Sequence, residues 1–202
     1  MTTTPHIAVL CGGVGAARFL RALSTVIPSS NITAIVNTGD DTMLHGLHIS
    51  PDLDTITYTL ADAIDPDRGW GLIDESWRAL GALHRYEEVR PTGSRSASTW
   101  FGLGDQDLAT HFYRTARLQE GASLTEITSE IASAWELDFR LLPMTDDPAP
   151  TEVVVDPDDD PGVAGDGRIS FQEYFVRHRH GIPVRELHLG ALSAQPSREA
   201  ID

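Results

Sequence analysis

The sequence predicts an α/β protein, a Rossmann-like parallel sheet flanked by helices, with additional α/β elements in its second half. Two apolar, β-branched runs, Ile7–Cys11 and Ile32–Val36, bracket a stretch in which Phe19, Leu20 and Leu23 recur at helical spacing. The first run stops at Gly12-Gly13-Val14-Gly15, which reads as a strand-to-helix turn. The second ends in Asn37-Thr-Gly-Asp-Asp41, so the first 41 residues form a β-α-β unit, the building block of a parallel sheet. With 41% hydrophobic residues, 202 residues can bury the core of a single domain spanning residues 1–202.

Further along, Ser50-Pro51 opens a helix with proline in its first turn and Leu53, Ile56 and Leu60 on one side; Asp52 and Asp54 lie in that first turn. Residues 90–99 have almost no apolar content and read as a surface loop. Gly104-Asp105 is expected to cap a helix with Leu108, Phe112 and Ala116 inward. Asp107, His111 and Arg114, at i, i+4 and i+7, share another face of it. Ser123-Leu-Thr-Glu126 is a capping-box pattern for a helix reaching about Trp135. Phe139–Leu142, Val153–Val155 and Ile169–Val176 are candidate strands. The acidic run Asp156–Gly162 reads as a solvated turn or, less in keeping with its spacing, a calcium loop.

Charge narrows the chemistry. Thirty acidic residues face 15 basic ones, a net charge of −15, and every basic residue is arginine. A chain without lysine has no Walker-A lysine and no Schiff-base lysine, and so acidic a chain lacks the electrostatic footprint of a nucleic-acid binder. No apolar run approaches the roughly 18 residues of a membrane span, and the first residues lack a basic leader, so a cytoplasmic protein is expected. The single cysteine, Cys11, reads as a strand end rather than a nucleophile.

The glycine turn Gly12, Gly13, Gly15 sits where a β-α-β fold offers backbone amides and a helix N-terminus to an anion, with Arg18 in the first turns as a candidate phosphate partner. A dinucleotide fingerprint is not met, because Arg18 stands where its third glycine would fall; a tight turn without ligand is the alternative. Asp40 and Asp41 end the second strand at the carboxyl edge of the sheet, where adjacent carboxylates suit a hard cation such as Mg²⁺; a solvated acidic turn is the other reading. Asp52 and Asp54 can turn back toward the same edge or complement the helix dipole. His45 and His48 lack a third ligand for zinc. Arg177-His-Arg-His180 is a basic patch that either recruits an anion or offsets nearby acid. Trp70, Trp77, Trp100 and Trp135 are either core residues or stacking platforms.

Five colinear segments, Cys11-Gly-Gly-Val-Gly-Ala-Ala-Arg-Phe-Leu20, Val36-Asn-Thr-Gly-Asp-Asp41, His45-Gly-Leu-His-Ile-Ser-Pro-Asp-Leu-Asp-Thr55, Leu103-Gly-Asp-Gln-Asp-Leu-Ala-Thr-His111 and Leu142-Pro-Met-Thr-Asp-Asp147, together resemble the 2-phospho-L-lactate transferase family of coenzyme F420 biosynthesis. Asp40–Gly46, Gly69-Trp-Gly71 and Asp74-Glu-Ser-Trp77 are more similar to the actinobacterial members, the phosphoenolpyruvate transferases. The resemblance implies an Mg²⁺-dependent transferase. It would move a phosphoenolpyruvyl moiety, or in archaeal relatives a 2-phospho-L-lactyl moiety, from a guanylylated diphospho donor to the deazaflavin Fo. The products would be dehydro-F420-0 or F420-0 and GMP.

Carried over by residue, the resemblance implies Asp40 and Asp41 as metal ligands, Asp40 and Asp54 in catalysis, and Gly12, Gly13, Gly15 and Arg18 on the phosphate side. Asn37 and His111 are implied as substrate contacts and Asp54 as the Fo contact. It also implies small-molecule partners only, with a homodimer as the family expectation. Gln106 departs from the family's arginine, and Gly102 from a basic residue of archaeal relatives. Family members are expected to continue past Asp202 into a segment that helps hold the guanylyl donor, so the C-terminal part of the family fold is expected to be absent. The rival readings are a sugar-nucleotide-binding regulator of the same superfamily and a truncated, non-catalytic paralogue.

Overall fold

A computed structural model describes residues 5–91, 94–159, 163 and 165–201. Thr92 and Gly93 of the predicted loop, Asp160, Pro161 and Gly162 of the acidic turn, and Asp202 lie outside the described residues. The strands are β1 (Ile7–Cys11), β2 (Ile32–Val36), β3 (Thr42–Leu44), β4 (Leu47–Ile49), β5 (Arg140–Pro143), β6 (Thr151–Val155), β7 (Arg168–Ser170) and β8 (Val184–Leu189). The helices are α1 (Gly13–Leu23), α2 (Pro51–Leu60), α3 (Arg78–Glu87), α4 (Asp107–Gln119), α5 (Leu124–Ala134) and the short α6 (Arg198–Ile201).

The expected parallel sheet is present, in the order β1-β2-β5, with Leu10, Ile35 and Leu142 side by side in register. Alternation sorts its side chains: Ile32, Ala34, Val36 and Leu141 join Ala17 and Leu20 of α1, Leu53 and Ile56 of α2 and Leu124 and Ala132 of α5 in one buried cluster. The opposite face carries Leu10 at 82% exposure. β3 and β4 form a hairpin whose two turn residues, His45 and Gly46, both have positive φ (55° and 77°), the backbone of the turn that matches strand twist. In the second half β7-β6-β8 is an antiparallel sheet over Val153, Val155, Val163 and Ile169.

Two expectations change. Ile169–Val176 is not one strand: β7 ends at Ser170, and Glu173–Arg177 winds as a π-helix. Ser170 Oγ accepts from the Glu173 amide, Arg177 pairs with Glu173 at 2.6 Å, and Phe171 stacks on Phe175 at 4.6 Å, so its polar and aromatic residues bond at helical spacing.

The second change concerns α4: of its expected inward residues Leu108 packs against the Leu44, Ile49 and Leu103 cluster, but Phe112 and Ala116 do not turn inward. Asp107, His111 and Arg114 are buried, whereas Phe112 is 57% exposed and Ala116 faces solvent. The charged face is inside because α2 presents Asp54 and Tyr58 to it. Nor does Asp105 cap α4. Its carboxylate accepts from Arg78 and Ala79 at the start of α3, each at 3.0 Å, while Glu75 accepts from Gln106 and Asp107 at 2.7 and 3.1 Å. The two helix starts thus exchange caps. Gly104 is required for this approach, since a Cβ there would collide with Glu75. The capping box at Ser123 and Glu126 forms as the sequence predicts, and Trp135 closes α5.

Candidate functional site

The carboxyl ends of β1 and β2, the first turn of α2 and the π-helical segment meet at one edge of the parallel sheet. Asn37, just past β2, organises it: its Nδ2 donates to Asp52 Oδ2 at 3.0 Å and lies 3.4 Å from Asp40 Oδ1, and its Oδ1 accepts from the Gly39 amide. Asp40 is 7% exposed, and its other oxygen accepts from Gln172 Nε2 at 2.8 Å. Burial, with Asp52 nearby, pushes the Asp40 carboxyl up to about 7. Burial also holds Asp41 well above the carboxylate range, even though Ser50 Oγ donates to it at 2.7 Å. The second oxygen of Asp41, Oδ1, is buried without a hydrogen-bond partner. His48 lies 3.8 Å from Asp41, and burial pushes its imidazole down to about 4, so it brings no charge to the pair near neutral pH.

These groups fit a divalent ion. Two adjacent, dehydrated carboxylates, one with an orphaned oxygen, are a pair that a bound cation would hold ionised. No group of three His, Cys, Asp or Glu with metal-holding geometry occurs among the described residues. A two-carboxylate edge of this kind is what Mg²⁺ uses when substrate phosphates complete its shell.

The glycine turn behaves differently from a vacant anion cradle. Gly12 is the N-cap of α1 and Gly13 has φ +69°. Asp52 rests on it, accepting from the Gly13 amide, and a Cβ on Gly12 would collide with the Asp52 carboxylate. Gly12 and Gly15 are exposed. Arg18 is not brought to the acidic edge; with Arg21, Asp62, Asp65 and Gly69 it lines a separate cavity of about 430 Å³. Cys11 is pushed up to about 11 by burial and then by Asp52, which keeps it a thiol.

Beside the acidic edge lies a cavity of about 270 Å³, near the lower end of small-molecule sites. Trp70, Phe101 and Tyr58 give it aromatic walls, Asp54, Asp107 and His111 a polar floor, and Gln172 joins it to Asp40. Trp70 packs edge-on against Trp77, and the Arg68 guanidinium lies 5.5 and 5.2 Å from the two rings. Gly102 makes room for this: a Cβ there would stand 2.8 Å from the Trp70 ring. A basic side chain at that position would therefore compete with the indole for one wall of the cavity. Gln106, the other departure, is occupied at the α3–α4 cap, donating its amide Nε2 to the Asp74 carbonyl at 3.1 Å.

Under the floor lies Arg114, 1% exposed. Its Nη2 and Nη1 donate to the two oxygens of Asp54, the second at 3.3 Å, and Nη1 also reaches the His48 carbonyl and His111 Nδ1. Tyr58 donates to Asp107 at 2.6 Å. Periodicity had marked the Asp107, His111, Arg114 face without showing that it was buried; Tyr58 carried no such mark.

The geometry thus sets a buried acidic pair beside an aromatic cavity with a charged floor. The model of the family described as 2-phospho-L-lactate transferase CofD matches residues 7–202. The chain belongs to this family. Among curated relatives of the 2-phospho-L-lactate transferase family, a phosphoenolpyruvate transferase of Nocardia farcinica (strain IFM 10152) is 43% identical over 201 residues. That alignment covers 99% of this chain and 58% of the relative. The phosphoenolpyruvate transferase of Mycobacterium avium (strain 104) is 42% identical over 96% of this chain and 60% of its own length. The chain therefore spans rather less than two thirds of the relatives it matches. A crystal structure of a UPF0052-family protein from Bacillus halodurans shares the fold, with a TM-score of 0.55 at 16% identity, over 99% of this chain and 56% of that one.

Proposed function

We propose that this chain carries the acceptor and metal side of a transferase that moves a phosphoenolpyruvyl, or 2-phospho-L-lactyl, moiety from a guanylylated diphospho donor to a hydroxyl of Fo, releasing GMP. The observation that carries the reading is the buried pair Asp40 and Asp41, with its orphaned oxygen, joined through Gln172 to an aromatic cavity. Asp40 and Asp41 would hold Mg²⁺, whose chemistry is to neutralise the diphosphate and align it for displacement. The remaining work belongs to side chains. Trp70, Phe101 and Tyr58 bind the flat deazaflavin by stacking and exclude water. Asp54 and His111 orient it from the floor; because Arg114 engages both oxygens of Asp54, this carboxylate is better suited to positioning the acceptor than to removing its proton.

The partners in this reading are small molecules, Fo and the guanylylated donor. No helix among the described residues is long and apolar enough to cross a membrane.

The test mixes the protein with Mg²⁺, Fo and each guanylylated donor and looks by mass for dehydro-F420-0 or F420-0. Product that disappears on chelation and in Asp40→Asn supports the reading. Saturable binding of a UDP-sugar, with neither product nor Fo binding, would replace it with a sugar-nucleotide-binding regulator.

A further inference from the structure

We infer that Gln172 links the acceptor cavity to the acidic edge: anchored to Asp40 through its amide nitrogen, it accepts with its amide oxygen from the acceptor's reacting hydroxyl, so that acceptor and Mg²⁺ bind with positive coupling. This deepens, and rests on, the transferase reading given above.

The second half of the chain delivers Gln172. Phe171 packs against the cluster under the antiparallel sheet, and Glu173, 6% exposed, pairs with Arg177 at 2.6 Å. Between these two anchored neighbours Gln172 is the N-cap of the π-helical segment, a winding that is rare and concentrated at functional sites. Its Nε2 donates to Asp40 Oδ2 at 2.8 Å, 132 residues away in the chain. Among the described residues lining the aromatic cavity, Gln172 alone hydrogen-bonds to Asp40 or Asp41.

A primary amide has two N–H donors and an oxygen acceptor. One N–H is committed to Asp40. The oxygen, Oε1, accepts from no described residue, and it does not belong to the buried atoms left unsatisfied, so it stays open to a ligand. A carboxylate that holds a metal only accepts, which keeps Nε2 toward Asp40 and leaves Oε1 for the cavity.

The reaction says what Oε1 meets there. Displacement at a diphosphate needs the attacking oxygen in line and about 3–3.5 Å from phosphorus. With the diphosphate neutralised at Asp40 and Asp41, the acceptor hydroxyl must lie where the cavity meets the acidic edge, beside Gln172. An amide oxygen is too weak a base to remove the proton; by accepting the O–H it turns the hydroxyl's lone pair toward phosphorus. Asp40, held in one plane by a metal, passes that orientation to the amide bonded to it, so each ligand prepares the site for the other. A Gln172 that merely satisfied a buried carboxylate would produce no such coupling.

The test measures the ratio of Fo dissociation constants without and with saturating Mg²⁺ by fluorescence titration, with Mg²⁺ binding followed separately through its protection of the melting temperature. Fo should bind wild type about three- to tenfold more tightly in Mg²⁺, one hydrogen bond's worth. The ratio should fall to about one in Gln172→Met, which keeps the length of the side chain and loses the amide. It should fall likewise in wild type for deoxy-Fo, in which hydrogen replaces the accepting hydroxyl, a comparison that needs no variant to fold. A ratio undiminished in Gln172→Met or with deoxy-Fo overturns the inference. So does Mg²⁺ protection with Fo bound equally tightly in both conditions, and the acceptor reading then stands. Fo that binds wild type in neither condition overturns the acceptor reading, and the inference falls with it.

Discussion

Asp40 is 7% exposed beside Asp52, and with its carboxyl raised to about 7 it stores a pH dependence of known sign. The folded chain holds that proton far more tightly than the unfolded one, whose aspartates titrate near 3.9. In the metal-free protein the associated stability is therefore complete below about pH 4 and is lost as pH rises to about 7, roughly 4 kcal/mol for Asp40 alone. Asp41 is shifted in the same direction by burial. Metal-free melting temperature should fall between about pH 5 and about pH 8, Asp40→Asn should flatten the fall, and Mg²⁺ should reverse it at the upper end. A flat profile in the wild-type protein would show that these carboxylates are not dehydrated in solution.

The acidic pair was legible in the sequence because a strand ending in two carboxylates has few structural uses. Arg114 was not legible as part of a site. A buried ion cluster and a solvated charged stripe have the same helical spacing, and only the Asp54 carboxylate of α2, 60 residues away, distinguishes them.

Elements that follow local rules were predictable as such. Strands β1 and β2 and helix α2 stand where their apolar runs and Pro51 put them, and the capping box starts α5. The failures lie where a remote partner decides. α4 takes its cap from Glu75, about thirty residues earlier, and repays α3 through Asp105, whose carboxylate also accepts from Ser76 Oγ. Asp105→Ala removes acceptors from two α3 amides and should destabilise the protein by about 1–2 kcal/mol in urea unfolding, with little change in m-value. An unchanged midpoint would mean that solvent caps α3 equally well. The stretch after β7 likewise looked like a strand because Ile169, Phe171 and Val176 suit strands. The bonds it makes are helical, and they bring Gln172 and Val176 to the cavity wall.

In the molecule as a whole, the parallel sheet has one face packed by α1, α2 and α5 and one on which Leu10 is 82% exposed beside Ile35. Parallel sheets are normally covered on both faces. The chain studied alone should bind a hydrophobic dye on this face, and Leu10→Ser should reduce that binding without lowering the free energy of unfolding by more than about 0.5 kcal/mol. Dye binding unaffected by the substitution would place the exposed apolar surface elsewhere.

The arginine-only composition acquires a structural meaning at this scale. Arg114 is engaged inside the floor and Arg18 lies in another cavity, and in the proposed function the positive charge facing a diphosphate at the acidic edge would come from a bound metal. Titration of the protein with Fo, followed by deazaflavin fluorescence in Mg²⁺ and again after chelation, tests this arrangement most directly. Saturable one-to-one binding is expected, weakening at least about tenfold in Asp54→Ala, together with Mg²⁺-dependent protection of the melting temperature that disappears in Asp40→Asn. Fo binding unchanged by Asp54→Ala, or Mg²⁺ protection undiminished in Asp40→Asn, would contradict it.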